Sequence, residues 1–168
     1  MSTVVYKDGV MAFDSRMGLN DMIMHGVLKA GRTKKYLYGY AGRASHMTPL
    51  YDWVRECEAE KDMPSPEFFY RKNDSLISVG DVGTCMLISA SGTIWEVTTE
   101  GHTIPIPRAF HAIGNGYEYA FGAMAMGASA VEAVEVASQY DAFTGGEIHS
   151  LNIDSIGDYP IRPSVKTS

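Results

Sequence analysis

The stretch Ser2-Thr3-Val4-Val5-Tyr6-Lys7-Asp8-Gly9-Val10-Met11-Ala12-Phe13-Asp14 decides how this chain is read. Two apolar runs of strand-forming residues flank Asp8-Gly9, and Asp-Gly between such runs is a strong short-range hairpin signal. Residues 2–15 are therefore expected to open the protein as a buried strand pair. Loop length then sets the register. A three-residue loop over Lys7-Asp8-Gly9, with Gly9 in the left-handed conformation, places Ser2 opposite Asp14. A two-residue Asp8-Gly9 turn pairs Thr3 with Asp14 instead and sends Ser2 to the other face, because one residue of register exchanges the faces of every side chain. Both registers are open at the level of sequence.

Asp14 is conspicuous because a carboxylate in an apolar run is costly to bury without a cation or donors. Its plainer reading is a turn residue at the end of a strand. Lys29, within the apolar run from Gly26 to Ala30, is a cation placed to answer Asp14, although a lysine on an edge strand in solvent fits the same spacing. Lys34 and Lys35 lie close by as alternatives.

Working outward, a second strand pair is expected at about 26–42, turning at Gly31-Arg32-Thr33 and enlarging the sheet to four strands. Thr48-Pro49 reads as an N-cap with proline at the first helical position, followed by Leu50, Trp53, Val54 and Cys57 at helical spacing to about Lys61. Residues 62–83 carry Pro64, Pro66, Gly80 and Gly83 without a clear period and read as loop. The runs before and after Ser91-Gly92 form another hairpin, and a strand-like stretch follows to about Ile113. Tyr117, Ala120, Phe121 and Met124 share a helical face, Ser129 to Glu132 is a capping box opening a further helix, and a short strand is expected near 147–153. This order lacks βαβ alternation. Two sheets each covered by helices satisfy burial as an α+β, four-layer αββα sandwich.

Composition narrows the function. The 168 residues are 45% hydrophobic and 20% charged, which fits a single domain over 1–168 with a polar tail from about 155. No apolar run approaches the ~18 residues of a membrane span, and the start has no secretion-signal pattern, so a cytoplasmic location is expected. Two cysteines, Cys57 and Cys85, and five scattered histidines (His25, His46, His102, His111, His149) show no metal-ligand spacing, so no metal or cofactor is expected. A net charge of −6 and a basic cluster limited to Arg32-Thr33-Lys34-Lys35 argue against nucleic acid as a partner. Gly114-x-Gly116 lacks the third glycine and the βαβ setting of a dinucleotide site, and the methionines and alanines of 122–128 suit helix packing.

Ser2 carries chemistry once Met1 is removed, since it then holds a hydroxyl and a free α-amine together. The amine, with a reference pKa of about 7.7–8.0, is partly unprotonated at neutral pH and able to accept the hydroxyl proton. Met-Ser starts are common, so the signal is weak alone.

Taken together, the residues resemble the proteasome β-subunits and the bacterial peptidase HslV, from Ser2 to about Gly146. The likeness rests on Ser2-Thr3-Val4-Val5, the Lys7-Asp8-Gly9 hairpin, Asp14-Ser15-Arg16, Lys29, and Gly39-Tyr40-Ala41-Gly42. It continues in Gly114-Asn115-Gly116-Tyr-Glu-Tyr-Ala120, the small-residue stretch 122–129, and Asp141-Ala-Phe-Thr144-Gly145-Gly146. The resemblance implies an N-terminal-nucleophile hydrolase with Ser2 in place of the family's threonine, Asp14 and Lys29 beside it, and the Gly39 N–H binding the oxyanion. It also implies that Asp141 and Thr144 orient the amine and its water, and that Asn115 stands where the family has a serine. Asn115 offers hydrogen bonds but no hydroxyl relay. The implied activity is peptide-bond hydrolysis of peptide or unfolded protein inside a homo-oligomeric ring of six or seven subunits, single or stacked, with an AAA+ ATPase unfoldase as its partner. A catalytically inactive ring-forming homologue and a small-molecule amidase of the same class are the alternatives.

Overall fold

The computed structural model describes residues 2–19, 21–56, 83–98 and 103–157. The opening hairpin pairs β1 (Thr3–Lys7) with β2 (Val10–Asp14) through a two-residue turn. Asp8 at φ 50° and Gly9 at φ 79° both take left-handed backbone, the signature of the turn whose twist matches that of antiparallel strands. The ladder runs Val4 opposite Phe13 to Lys7 opposite Val10, which continues to Thr3 opposite Asp14. The register that sets Ser2 opposite Asp14 is not formed. The physical reason is the ease with which Asp8 joins Gly9 at positive φ, leaving Lys7 in the strand.

This hairpin lies at the centre of a four-stranded sheet in the order β10-β1-β2-β11, where β10 is Phe110–Gly114 and β11 is Ile148–Asn152. A second, five-stranded sheet follows the order β5-β6-β7-β8-β9: Ala30–Arg32, Tyr36–Ala41, Thr84–Ser89, Ile94–Thr98 and Thr103–Ile106. The strands expected at 26–42 therefore belong to the second sheet and do not enlarge the first. They also turn later than expected: the Thr33 hydroxyl accepts the N–H groups of Lys35 and Tyr36 at 3.3 and 3.1 Å, a side-chain turn that competes with strand pairing. An unforeseen hairpin, β3 (Met17–Leu19) with β4 (Met22–Met24), stands apart from both sheets. The stretch leading to Ile113 divides between the two sheets as β9 and β10.

Helix α1 (Met47–Glu56) begins two residues before Pro49, because a 3₁₀ turn at Ala44–His46 runs directly into it. Proline is tolerated there in the first turn, where its missing N–H has no intrahelical partner. The expected continuation to Lys61, Cys57 and the loop at 62–82 lie outside the described residues. Leu50, Trp53 and Val54 of α1 pack on Tyr36, Tyr38, Tyr40, Cys85 and Leu87 of the second sheet. On the far side, α2 (Tyr117–Ala125) and α3 (Ala130–Tyr140) lay Ala120, Met124, Ala133, Val134 and Ala137 on Val5, Ala12 and Ala112 of the first sheet. Tyr117, expected on the packed face, is exposed. The capping box forms, with Glu132 N–H on Ser129 Oγ at 3.2 Å and Ser129 N–H on Glu132 Oε2 at 2.7 Å. Lys7 ties the hairpin to the helices: its ammonium donates to the carbonyls of Met124 and Ala128 at 3.0 and 2.7 Å, capping the C-terminal end of α2.

Between the sheets, Val4, Tyr6, Met11 and Phe13 meet Leu37, Met86, Ile88 and Ile94. Period-2 alternation divides the hairpin between its two burial partners: Val4 and Tyr6 face the other sheet, while Val5 and Ala12 face the helices. The result is the expected αββα layering.

Gly114 closes β10 at φ +99°, where a Cβ would stand 1.8 Å from the Ser2 carbonyl oxygen. Gly114→Ala therefore carries both left-handed strain and a backbone clash, and is expected to lower stability by at least about 2 kcal/mol more than Gly127→Ala. Gly127 shares a positive φ (+109°) but has nothing within 4 Å of the added carbon. Urea unfolding of the two variants checks this, and equal losses would remove the clash as the cause.

Candidate active site

Asp14 is fully buried at the end of β2, and its carboxylate is met from three directions. Oδ1 accepts the Thr3 N–H at 2.9 Å and the Lys29 ammonium at 2.7 Å, and Oδ2 accepts the Gly145 N–H at 3.0 Å. Lys29 is 2% exposed, so it is not a lysine on a solvent-facing edge. Its ammonium also donates to the Arg16 carbonyl. Burial pushes the Lys29 pKa below its ordinary value, and the Asp14 carboxylate, through charge and hydrogen bond, works in the opposite direction. The structure thus joins Asp14 and Lys29, and selects Lys29 over Lys34 and Lys35, which lie in the β5–β6 turn.

Asp141 and Thr144 lie in the segment that follows α3. This segment folds back on the end of β2, with the Gly145 carbonyl accepting both Ser15 N–H and Arg16 N–H at 3.2 and 3.0 Å. The Arg16 guanidinium reaches the Ala142 carbonyl at 3.1 Å. A line of hydrogen bonds crosses the site: Gly116 N–H donates to Thr3 Oγ1 at 3.1 Å, Thr3 Oγ1 lies 2.6 Å from Thr144 Oγ1, and Thr144 Oγ1 donates to Asp141 Oδ2. Since the Thr144 proton goes to Asp141, the Thr3 hydroxyl is the donor to Thr144. Each hydroxyl accepts once and donates once, and the line ends on a carboxylate.

Thr3 entered the sequence reading only as the partner of Asp14 in the two-residue register and was given no role in the site. Its N–H anchors Asp14 and its hydroxyl anchors Thr144, so it connects the two groups of candidate residues. The signal was the Asp8-Gly9 turn, whose register turns Thr3 toward the helices.

Ser2 lies one position before β1, only 4% exposed, with its carbonyl accepting Asn115 N–H at 2.8 Å. Alternation from Thr3 puts it on the Val4 face, toward the second sheet. Among the described residues, its hydroxyl is not hydrogen-bonded to Asp14 or Lys29.

Gly39 departs from expectation. Thr33 N–H bonds to Tyr36 O and Tyr40 N–H to Lys29 O, each at 2.8 Å, so the even-numbered residues of β6 bond to β5. Successive N–H groups point to opposite sides of a strand, and that of Gly39 is turned to β7, opposite Met86. It is placed as a ladder donor and not as an oxyanion donor. Packing accounts for the glycine, since a Cβ would stand 2.5 Å from Val4 Cγ1.

A cavity of about 910 Å³ adjoins Ser2 through Gly114 and Asn115, and Met17, Gly42, Arg43 and Tyr117 line other parts of it. This is ample for several residues of an extended chain. Among the described residues no group of three or more His, Cys, Asp or Glu could hold a metal ion, and no helix is long and apolar enough to cross a membrane.

Asp14→Ala strands the Lys29 charge and orphans the Thr3 and Gly145 donors, and is expected to cost about 3–5 kcal/mol in denaturant unfolding. Asp14→Ala with Lys29→Met should recover part of this loss. A double variant no more stable than Asp14→Ala would show that the buried charge is not its source.

No protein-family model matches the chain, and no curated protein sequence matches it significantly. Solved structures do. BPH from Thiobacillus denitrificans is 19% identical with a TM-score of 0.66, over 89% of this chain and 95% of its own. The same protein in complex with epoxomicin gives 19% and 0.65, over 89% and 96%. Eukaryotic HslV from Trypanosoma brucei gives 18% and 0.64, over 90% and 98%. The αββα sandwich of this chain is the fold of HslV and BPH, the proteasome-subunit type of N-terminal-nucleophile hydrolase fold.

Proposed function

We propose that the chain is an N-terminal-nucleophile peptidase subunit of a self-compartmentalising HslV-like ring, with Ser2 the nucleophile once Met1 is removed. The observation that carries this reading is the buried Asp14–Lys29 pair, fixed by Asp14 to the N–H of the residue that follows Ser2.

In the proposed reaction the Ser2 hydroxyl oxygen attacks the substrate carbonyl while the free α-amine takes its proton. The amine returns that proton to the leaving nitrogen as the peptide C–N bond breaks, leaving an ester on Ser2. Water, deprotonated by the same amine, hydrolyses the ester. The Lys29 ammonium supplies positive charge near the hydroxyl, Asp14 holds that ammonium, and the Asn115 N–H fixes the Ser2 carbonyl. Asp141 and Thr144 act through Thr3, which keeps the end of β1 in place. With its N–H turned into the β6–β7 ladder, Gly39 has no oxyanion role here. The homo-oligomeric ring, an AAA+ unfoldase partner and a cytoplasmic location belong to the same proposal, as does sensitivity to epoxomicin.

Asn115 and Gly39 favour a second reading, a ring-forming homologue without activity, because neither supplies the group expected of it. The two readings separate on purified protein with its N-terminal methionine removed. Under the first, fluorogenic peptides or unfolded protein are cleaved, epoxomicin suppresses cleavage, and Ser2→Ala lowers kcat by at least about 10³-fold. Cleavage undiminished in Ser2→Ala would sink the assignment, and absence of cleavage from processed protein favours the second.

Lys29 sets a pH dependence. Its pKa is depressed by burial and held up by Asp14, so Asp14→Asn leaves the depression unopposed and the ammonium is lost at lower pH. The alkaline limb of the pH–rate profile is expected to move to lower pH in Asp14→Asn, as measured by kcat/KM across the alkaline range. An unmoved limb would exclude Lys29 as the group that controls it.

A further inference from the structure

Glu96 and His111 form a charged clasp between the two sheets that the proposed reaction does not use. Glu96 lies on β8 with the parity of Ile94, and His111 lies on β10 with the parity of Ile113, so both face the space between the sheets. There Glu96 Oε2 and His111 Nε2 meet at 2.6 Å, the residues being only 24% and 15% exposed, and both line the cavity that adjoins Ser2.

The hydrogen bond holds the carboxylate from one side: His111 Nε2 engages Glu96 Oε2, and His111 Nδ1, on the other edge of the ring, is buried with no partner among the described residues.

Among the described residues Glu96 makes one hydrogen bond, through Oε2; Oε1 makes none and is not fully buried, and the residue lines the cavity. Taking Ser2 as the nucleophile of a peptidase, we infer that Glu96 Oε1, with His111 fixing the carboxylate, is the specificity determinant of this cavity and receives the cationic side chain of a substrate lysine or arginine. His111 is three residues before Gly114, which touches Ser2. At about 3.3 Å per residue this is roughly 10 Å along the strand, within reach of a long basic side chain held within about three residues of the scissile bond. Arg43 is exposed and also lines the cavity, and its charge opposes a cation there.

The test uses quenched peptides that differ at one position near the scissile bond, lysine against its uncharged isostere norleucine. With the N-terminal methionine removed, the unmutated protein is expected to show at least a tenfold lower KM for the lysine peptide at similar kcat. Glu96→Gln should abolish that preference by raising the KM of the lysine peptide to that of the norleucine peptide, and His111→Gln should weaken it. Anisotropy titration of the same peptides, labelled, on Ser2→Ala reads affinity without hydrolysis. Lysine preference in binding without cleavage by the unmutated protein would overturn the peptidase reading and keep the site. Cleavage lost in Ser2→Ala, with equal KM for the two peptides or a preference intact in Glu96→Gln, would overturn the site and keep the peptidase. Glu96→Gln that lowers stability and leaves the preference intact would show the pair to be only a clasp between sheets.

Discussion

The Asp14 carboxylate is the point on which the described architecture turns. A fully buried charge is tolerated only when cation and donors surround it, and Asp14 takes these from β1, from Lys29 before β5, and from Gly145 after α3. One side chain therefore ties together three things: the end of the hairpin whose register the Asp8-Gly9 turn sets, the approach of the second sheet, and the fold-back of the segment carrying Asp141 and Thr144. Hydrophobic packing brings the sheets together without direction, whereas the carboxylate specifies how their ends meet.

The line through Thr3 and Thr144 has a different character. It contains no buried cation, and its members are neutral until it reaches Asp141. Hydrogen bonds of this type polarise one another in a low-dielectric setting. They give the end of β1 a defined position without the desolvation cost of a second ion pair.

Much of this was legible because local rules and tertiary packing agree. Asp8-Gly9 specifies a hairpin, the capping box of Ser129 and Glu132 specifies a helix start, and Ser91-Gly92 specifies a turn, and all three form. Asp14 announced itself as a carboxylate in an apolar run. Where reading failed, a nonlocal or competing term decided. The register needed the conformation of Asp8, which a sequence pattern does not give. The strand pair from Ala30 turns late because the Thr33 hydroxyl takes the N–H groups of Lys35 and Tyr36. The direction of the Gly39 N–H depends on the parity of pairing with β5, which is set by a turn several residues away. The role of the Thr3 hydroxyl was hidden because its partner Thr144 is distant in sequence.

The two-residue turn at Asp8-Gly9 also constrains how this hairpin can vary. Shortening or lengthening both arms together by one residue each moves every pair one step along the ladder, yet keeps the sum of paired residue positions tied to the turn. A single insertion in one arm that is not absorbed by a bulge or by a longer loop changes that sum by one and exchanges inside for outside along a strand. Length variation in the paired part of this hairpin is consequently accommodated in matched pairs or by local irregularity, since an unabsorbed one-residue change would act as a frameshift of side-chain facing.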